Sequence, residues 1–83
     1  MNEIEILDAV LLLARKQREA ENAIRETKYK RVGSYLMALT DDEKNRRIDT
    51  MRREYRREIG KLYNQLNEGR ISSGHEPLEN PFI

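Results

Sequence analysis

Arginine is the residue type in this sequence best suited to chemistry with another molecule. Seven arginines and two lysines lie between Lys44 and Arg70. At about 100° per residue, a helix over this stretch would gather several of them roughly 140° to 220° from its apolar face. We call this group the basic stripe, and its members are Arg46, Arg53, Arg57 and Lys61. Two further arginines, Arg52 and Arg56, flank the apolar face of the same helix.

The guanidinium groups give the basic stripe two candidate roles. Their planar forks donate paired hydrogen bonds to phosphate or carboxylate, which predicts contact with nucleic acid or with an acidic protein surface. The alternative is a solvated helix face with salt bridges, such as Asp49 with Arg53 and Glu58 with Lys61. No feature of the sequence separates the nucleic-acid target from the protein target.

Enzymatic chemistry is hard to assemble from the remaining residues. The chain has no cysteine and a single histidine, His75. This histidine lies in the glycine- and proline-containing tail, where we do not expect it to form a nucleophile–base pair, and a metal site with several nitrogen or sulfur ligands cannot be built within one chain. Asp41, Asp42 and Glu43 are adjacent, whereas a calcium loop spaces its ligands apart. We expect a non-enzymatic protein with no cofactor and no metal.

Charge is distributed in blocks, although the net charge is only +1. Residues 1–14 carry −3, residues 15–39 carry +4, and residues 41–43 carry −3. Residues 44–70 then carry +5, and residues 71–83 carry −2. A chain with this layout has surfaces of opposite sign, which favour association with a partner.

The chain has 83 residues, enough for one domain. Its longest uninterrupted apolar run, Ala9–Ala14, has six residues, far fewer than the roughly 20 that span a bilayer. Acidic residues precede this run, whereas a secretory signal begins with basic ones. We therefore expect no membrane contact and a cytoplasmic location. The small size, the high charge and the lack of cysteine suit a bacterial or phage-encoded accessory protein.

Apolar and small residues at alternating spacings of four and three predict a long first helix, from about Glu3 to at least Val32. Its stripe consists of Ile6, Val10, Leu13, Gln17, Ala20, Ile24, Thr27 and Arg31. Gly33 interrupts this stretch, but Leu36 and Leu39 keep the helical spacing. We therefore expect a kinked continuation, or a short third helix, to about Leu39. The alternative is that the first helix ends just before Gly33, with this glycine in a left-handed conformation.

The segment Ile4–Leu13 has more large apolar residues than one face of a hairpin needs. This excess predicts either the deepest part of a dimer core or a helix that inserts into the groove of a partner.

Thr40 begins the second predicted helix. Its hydroxyl can accept the backbone N–H of Glu43, and the Glu43 carboxylate can return to the N–H of Thr40, as in a capping box. Gly69 is expected to end this helix. The apolar stripe between these ends consists of Ile48, Met51, Tyr55, Ile59, Leu62, Tyr63 and Leu66.

Residues 71–83 form a tail of different composition. Its serines, glycine and prolines oppose a continued helix and favour an extended path. Leu78, Phe82 and Ile83 nevertheless give it apolar anchors, which is the layout of a short linear docking peptide. The alternative is that these three side chains pack on the chain's own helices.

These patterns together predict an all-α protein, with an antiparallel two-helix hairpin over residues 1–70, a short helix at the joint as one option, and an extended C-terminal tail over residues 71–83. A two-helix hairpin leaves part of each apolar stripe uncovered, which predicts a homo-oligomer or burial against a larger protein partner.

We expect a small interaction protein (an adaptor, inhibitor or assembly subunit) that binds a larger protein through its arginine-rich and apolar helix faces and its tail. The first alternative is a hairpin dimer that binds nucleic acid through the basic stripe, and the second is a structural subunit that self-assembles. The candidate partner-binding residues are Arg46, Arg53, Arg57, Lys61, Arg52, Arg56, Leu78, Phe82 and Ile83.

Overall fold

The computed structural model describes residues 2–82 and contains two long helices joined by a short β-hairpin. In chain order the elements are α1 (Glu3–Glu26), β1 (Tyr29–Val32), β2 (Tyr35–Ala38) and α2 (Asp41–Ser72). The helices are antiparallel, because the start of α1 contacts the end of α2. The principal extents are 59 × 19 × 18 Å. The prediction of two long helices is confirmed, whereas the prediction of an all-α chain is only partly correct.

Local hydrogen bonds place both ends of α1. The Asn2 side chain accepts the backbone N–H of Glu5 at 2.8 Å and caps the first turn. At the other end, the Thr27 hydroxyl donates to the carbonyl of Ala23 at 2.7 Å, and the Thr27 backbone is extended. The first helix therefore ends at Glu26, and the predicted continuation through Gly33 to Leu39 is wrong.

A β-hairpin replaces the kinked continuation or short third helix that we expected at the joint. The strands pair from Tyr29 opposite Ala38 to Val32 opposite Tyr35, which leaves Gly33 and Ser34 as a two-residue loop. Gly33 has a φ of 60°, and no non-glycine residue in the described chain has a positive φ. Glycine at the first central position is the requirement of a type II′ hairpin turn.

The N-terminus of α2 carries the predicted Thr40 cap. The Thr40 hydroxyl accepts the backbone N–H of Glu43 at 3.2 Å. The Glu43 carboxylate accepts hydrogen bonds from the Thr40 hydroxyl at 3.3 Å and from Lys30 Nζ at 2.5 Å. The contact with Lys30 ties β1 to the first turn of α2.

Helix α2 continues three residues past Gly69, to Ser72, so the predicted end at Gly69 is wrong. The residue that ends the helix is Gly74, which has a φ of 80°. The Gly74 N–H donates to the carbonyl of Ile71 at 3.1 Å, and the His75 N–H donates to the carbonyl of Arg70 at 2.8 Å. These two bonds define a Schellman motif.

The core lies along the facing stripes of the two helices, as their spacing predicts. Its buried cluster consists of Ile6, Val10, Ile59, Tyr63 and Leu66. Four partly buried side chains pack against the cluster: Leu7, Leu13, Leu62 and Phe82. Farther towards the β-hairpin, the α1 stripe thins to half-buried residues and a buried carboxylate, Glu21. Two other buried apolar residues, Leu39 and Ile48, lie nearer the β-hairpin and outside this cluster. The larger buried cluster is where α1 begins and α2 ends.

The tail folds back on the end of α2. The Asn67 side chain donates to the carbonyl of Leu78 at 3.0 Å and accepts its N–H at 2.8 Å. Arg70 Nε donates to the carbonyl of Glu76 at 2.7 Å, and Phe82 reaches the core cluster. Side chains of α2 thus hold the backbone of an extended segment that has no regular structure of its own.

Candidate interaction surfaces

The basic stripe lies on the outer side of α2, opposite the residues that face α1. All four of its members, Arg46, Arg53, Arg57 and Lys61, are exposed. The 15 steps along the chain from Arg46 to Lys61 correspond to about 22 Å along the helix axis. The structure therefore presents a long, outward-facing positive surface.

Two of the four members of the basic stripe, Lys61 and Arg53, form contacts within α2. Lys61 pairs with Glu58 at 3.2 Å, which confirms one of the two predicted salt bridges. Arg53 Nε donates to the backbone carbonyl of Asp49 at 3.4 Å rather than to its carboxylate. Within residues 2–82, neither Arg46 nor Arg57 forms an ion pair.

Arg52 has an intramolecular partner in the structure. Its Nε donates to Glu21 Oε1, and its Nη2 donates to Glu21 Oε2 at 3.2 Å. Glu21 is 9% exposed, and it also accepts from Gln17 at 3.4 Å and lies 3.6 Å from Arg25. This carboxylate links the two helices at a point where the apolar stripe of α1 has thinned.

The ion pair shifts the ionisation of both groups. The hydrogen bond from Arg52 lowers the pKa of Glu21 below its ordinary value of 4.5, against the opposing effect of desolvation. The same hydrogen bond raises the pKa of Arg52. Where the β-hairpin meets the start of α2, the hydrogen bond from Lys30 lowers the pKa of Glu43. Glu21, Arg52 and Glu43 are therefore charged near neutral pH and take part in structural ion pairs.

Arg56 is exposed and lies beside the basic stripe. Together with Asp49, Arg52 and Arg53 it lines a shallow depression of about 320 Å³. Three cations and one carboxylate line this depression, so its chemistry favours an anionic group.

The β-hairpin presents apolar side chains that the helical prediction did not anticipate. Its exposed large apolar residues are Tyr29, Val32, Tyr35, Leu36 and Met37. The pairing puts Val32, Tyr35 and Met37 on one face, and Tyr29 and Leu36 on the other. The signal available in the sequence was the Gly33–Ser34 pair between two short runs rich in aromatic and β-branched residues.

The N-terminal turns of α1 also leave apolar side chains outside the core. Ile4 is 72% exposed, Leu11 is 63% exposed, and Leu12 is 50% exposed. They lie away from the stripe that includes Ile6 and Val10. The excess of apolar residues in Ile4–Leu13 is therefore surface within a single chain.

The three candidate residues of the tail differ in environment. Leu78 is 37% exposed, and its backbone is bonded to Asn67. Phe82 is half-buried against the core cluster, so it would have to leave that cluster before it could anchor a partner. Ile83 lies outside the described residues.

The depressions of the surface are lined mainly by polar and charged side chains. One depression, of about 600 Å³, is lined by Arg25, Asp41, Lys44, Asn45, Ile48, Asp49 and Arg52. It contains no nucleophile paired with a base. Residues 2–82 also contain no cluster of three acidic or histidine side chains placed to hold a metal ion. Neither helix in this range combines the length and apolar composition needed to cross a membrane.

Comparisons with known proteins add no further assignment. The chain matches no protein-family model, no curated protein sequence and no solved structure.

Proposed function

We propose that this chain is a small non-enzymatic accessory protein that binds a larger protein through the basic stripe of α2. The observation that carries the proposal is the state of Arg46 and Arg57. Both are exposed on the outer side of the helix, and neither forms an ion pair within the described residues. Their guanidinium groups can therefore receive carboxylates from a partner without breaking a contact of the fold.

The surroundings of the basic stripe favour a protein target over nucleic acid. Carboxylates border it, since Asp49, Glu54 and Glu58 are all exposed on the same helix. They would repel a phosphate backbone, whereas a protein surface with charges of both signs can complement them. The exposed apolar side chains of the β-hairpin and of α1 add surfaces that also suit protein contact. An adaptor, an inhibitor and an assembly subunit all act through such surfaces.

A capture experiment with charge-reversed variants tests this proposal. The protein is used as bait in cell extract, with and without nuclease, and compared with R53E/R57E. The matched control is R15E/R18E, which makes the same change in charge at two exposed arginines of α1. We expect a specific protein to remain bound after nuclease treatment, to be retained by the control, and to be lost from R53E/R57E.

Two results would contradict the proposal. Captured material that disappears with nuclease would favour the nucleic-acid alternative, whose affinity should also fall steeply with salt, by about 0.9 log units per log unit of salt for each phosphate contacted on duplex DNA. A protein retained equally by R53E/R57E would show that the basic stripe is not the binding surface.

A further inference from the structure

The β-hairpin, here called the β-arm (residues 29–38), has little support within the chain. A two-stranded hairpin alone is marginally stable in water because it cannot bury a hydrophobic face. In the β-arm every strand residue is exposed except Lys30, and Tyr35 is 75% exposed. Lys30 reaches Glu43 and secures the base of the β-arm, while apolar side chains on both faces stay uncovered. The chain itself therefore leaves most of the apolar surface of the β-arm uncovered.

The opposite end of the molecule has the complementary properties. We call it the acidic end, and its residues are Ile4, Glu5, Asp8, Leu11 and Leu12, all exposed. Neither Glu5 nor Asp8 forms an ion pair within the described residues. The third carboxylate nearby, Glu3, is bonded to Arg70 at 2.6 Å. The acidic end thus combines uncovered apolar side chains with two carboxylates that have no cationic partner among residues 2–82.

The charges of the two ends are opposite. Residues 27–40 contain three basic residues and no acidic one, whereas residues 1–14 contain three acidic residues and no basic one. On the β-arm side, Lys28 and Arg31 are exposed and form no ion pair within residues 2–82. Each end therefore offers the apolar surface and the charge that the other end lacks.

We propose that the β-arm docks on the acidic end of a second copy of this chain, in an antiparallel twofold dimer. The dimensions agree: a four-residue strand covers about 13 Å, and the α1 turns from Ile4 to Leu12 cover about 12 Å. The two features lie at opposite ends of α1, a helix of 24 residues that is about 36 Å long. A twofold rotation that reverses the long axis therefore forms both contacts at once and leaves neither β-arm uncovered.

This arrangement is independent of the function proposed above. It uses the two ends of the molecule, and the basic stripe on the outer side of α2 contributes nothing to it. Loss of dimerisation and loss of partner binding can therefore be measured separately. R53E/R57E tests partner binding, whereas K28E/R31E and E5K/D8K test dimerisation.

Charge exchange between the two ends tests the dimer. We expect the unaltered protein to sediment at about 20 kDa, twice the 9.9 kDa of one chain. K28E/R31E should weaken dimerisation about 30-fold, as expected for the loss of four exposed ion pairs across the two contacts. E5K/D8K should have a similar effect. An equimolar mixture of the two variants should restore the dimer, because each acidic β-arm then meets a basic end and each basic β-arm meets an acidic end.

Restoration by mixing separates docking from folding, because two misfolded variants would not rescue each other. Circular dichroism of each variant provides a second check that the helices persist. A monomer at all concentrations up to 1 mM would overturn the proposal, as would species larger than a dimer. Variants that dimerise as well as the unaltered protein would overturn it too, and so would a mixture that stays monomeric.

Discussion

Replacement of Glu21 by glutamine tests how the two helices are held together where apolar packing is thin. The substitution keeps the shape of the side chain and removes its charge. Glu21 is 9% exposed and accepts two hydrogen bonds from Arg52. The exposed Glu19 on the same helix provides the matched control, Glu19→Gln.

The expected loss of stability in Glu21→Gln follows from the two hydrogen bonds that Glu21 accepts from Arg52. Hydrogen bonds to a charged group contribute about 1.5–3 kcal/mol net, and a neutral amide retains roughly half of that. Because the Arg52 guanidinium lies at the edge of the interface, where water can solvate it, we use the lower part of that range for each hydrogen bond. We expect Glu21→Gln to lower the free energy of unfolding by about 1.5 kcal/mol at pH 7, and Glu19→Gln to change it by less than about 0.5 kcal/mol.

The stabilisation that Glu21 provides should decrease as the pH falls. Because its folded-state pKa is lowered from 4.5, Glu21 stabilises the fold above that pH, and this contribution is lost as the pH falls through the folded-state value. The cost of Glu21→Gln should therefore be full at pH 7 and close to zero once the carboxyl is protonated in the folded state.

Urea unfolding followed by circular dichroism at 222 nm measures both effects. With an m-value of about 1 kcal/mol/M, the midpoint at pH 7 should fall by about 1.5 M. The protein concentration must be the same in every sample, because association would shift the apparent stability. Equal midpoints for the two variants at pH 7, or a cost that grows on acidification, would refute the assignment of Glu21 as an ion pair that joins the helices.

Two further substitutions test the end of α2 and the tail. Gly74→Ala should lower the free energy of unfolding by about 1 kcal/mol because the φ of Gly74 is 80°. Gly69→Ala should raise it by about 0.5–1 kcal/mol, since Gly69 is inside the helix with open space around its Cβ position. Changes of opposite sign in the free energy of unfolding, measured with urea, would confirm that α2 continues past Gly69 and ends before Gly74. Changes of the same sign would contradict this. Phe82→Ala should lower stability by about 2 kcal/mol, less than for a fully buried phenylalanine, and should loosen the tail to proteolysis. An unchanged midpoint would show that the tail does not stabilise the core.

Local patterns in the sequence were sufficient to predict that there are two long helices and which side of each is buried, but not where each helix ends. The periodic spacing of Ile6, Val10, Ile59 and Leu66 predicted which side of each helix is buried, because a helix face repeats every three to four residues. The Thr40 cap was likewise predictable, since its hydrogen bond joins residues three apart in the chain.

The sequence was less decisive about the secondary structure of short segments, namely the joint between the helices and the end of α2. Val32, Tyr35, Leu36 and Leu39 are compatible with helical spacing and with two short strands, and periodicity over so few residues does not distinguish them. The turn at Gly33 and the bond from Lys30 to Glu43 favour the hairpin in the folded chain. Gly69 could similarly end a helix or lie within one, and the hydrogen bonds of Gly74 and His75 decide that α2 continues past it.

By itself, the sequence determined the two helices, their buried stripes and the blocks of charge, because each depends on neighbours close along the chain. Only the tertiary structure decided which charges are paired and which stay exposed. Glu21 and Arg52 are 31 residues apart, and Glu3 and Arg70 are 67 apart. Their pairing required the antiparallel packing of the helices. The same packing leaves the basic stripe, the β-arm and the acidic end uncovered, and these surfaces carry both proposals.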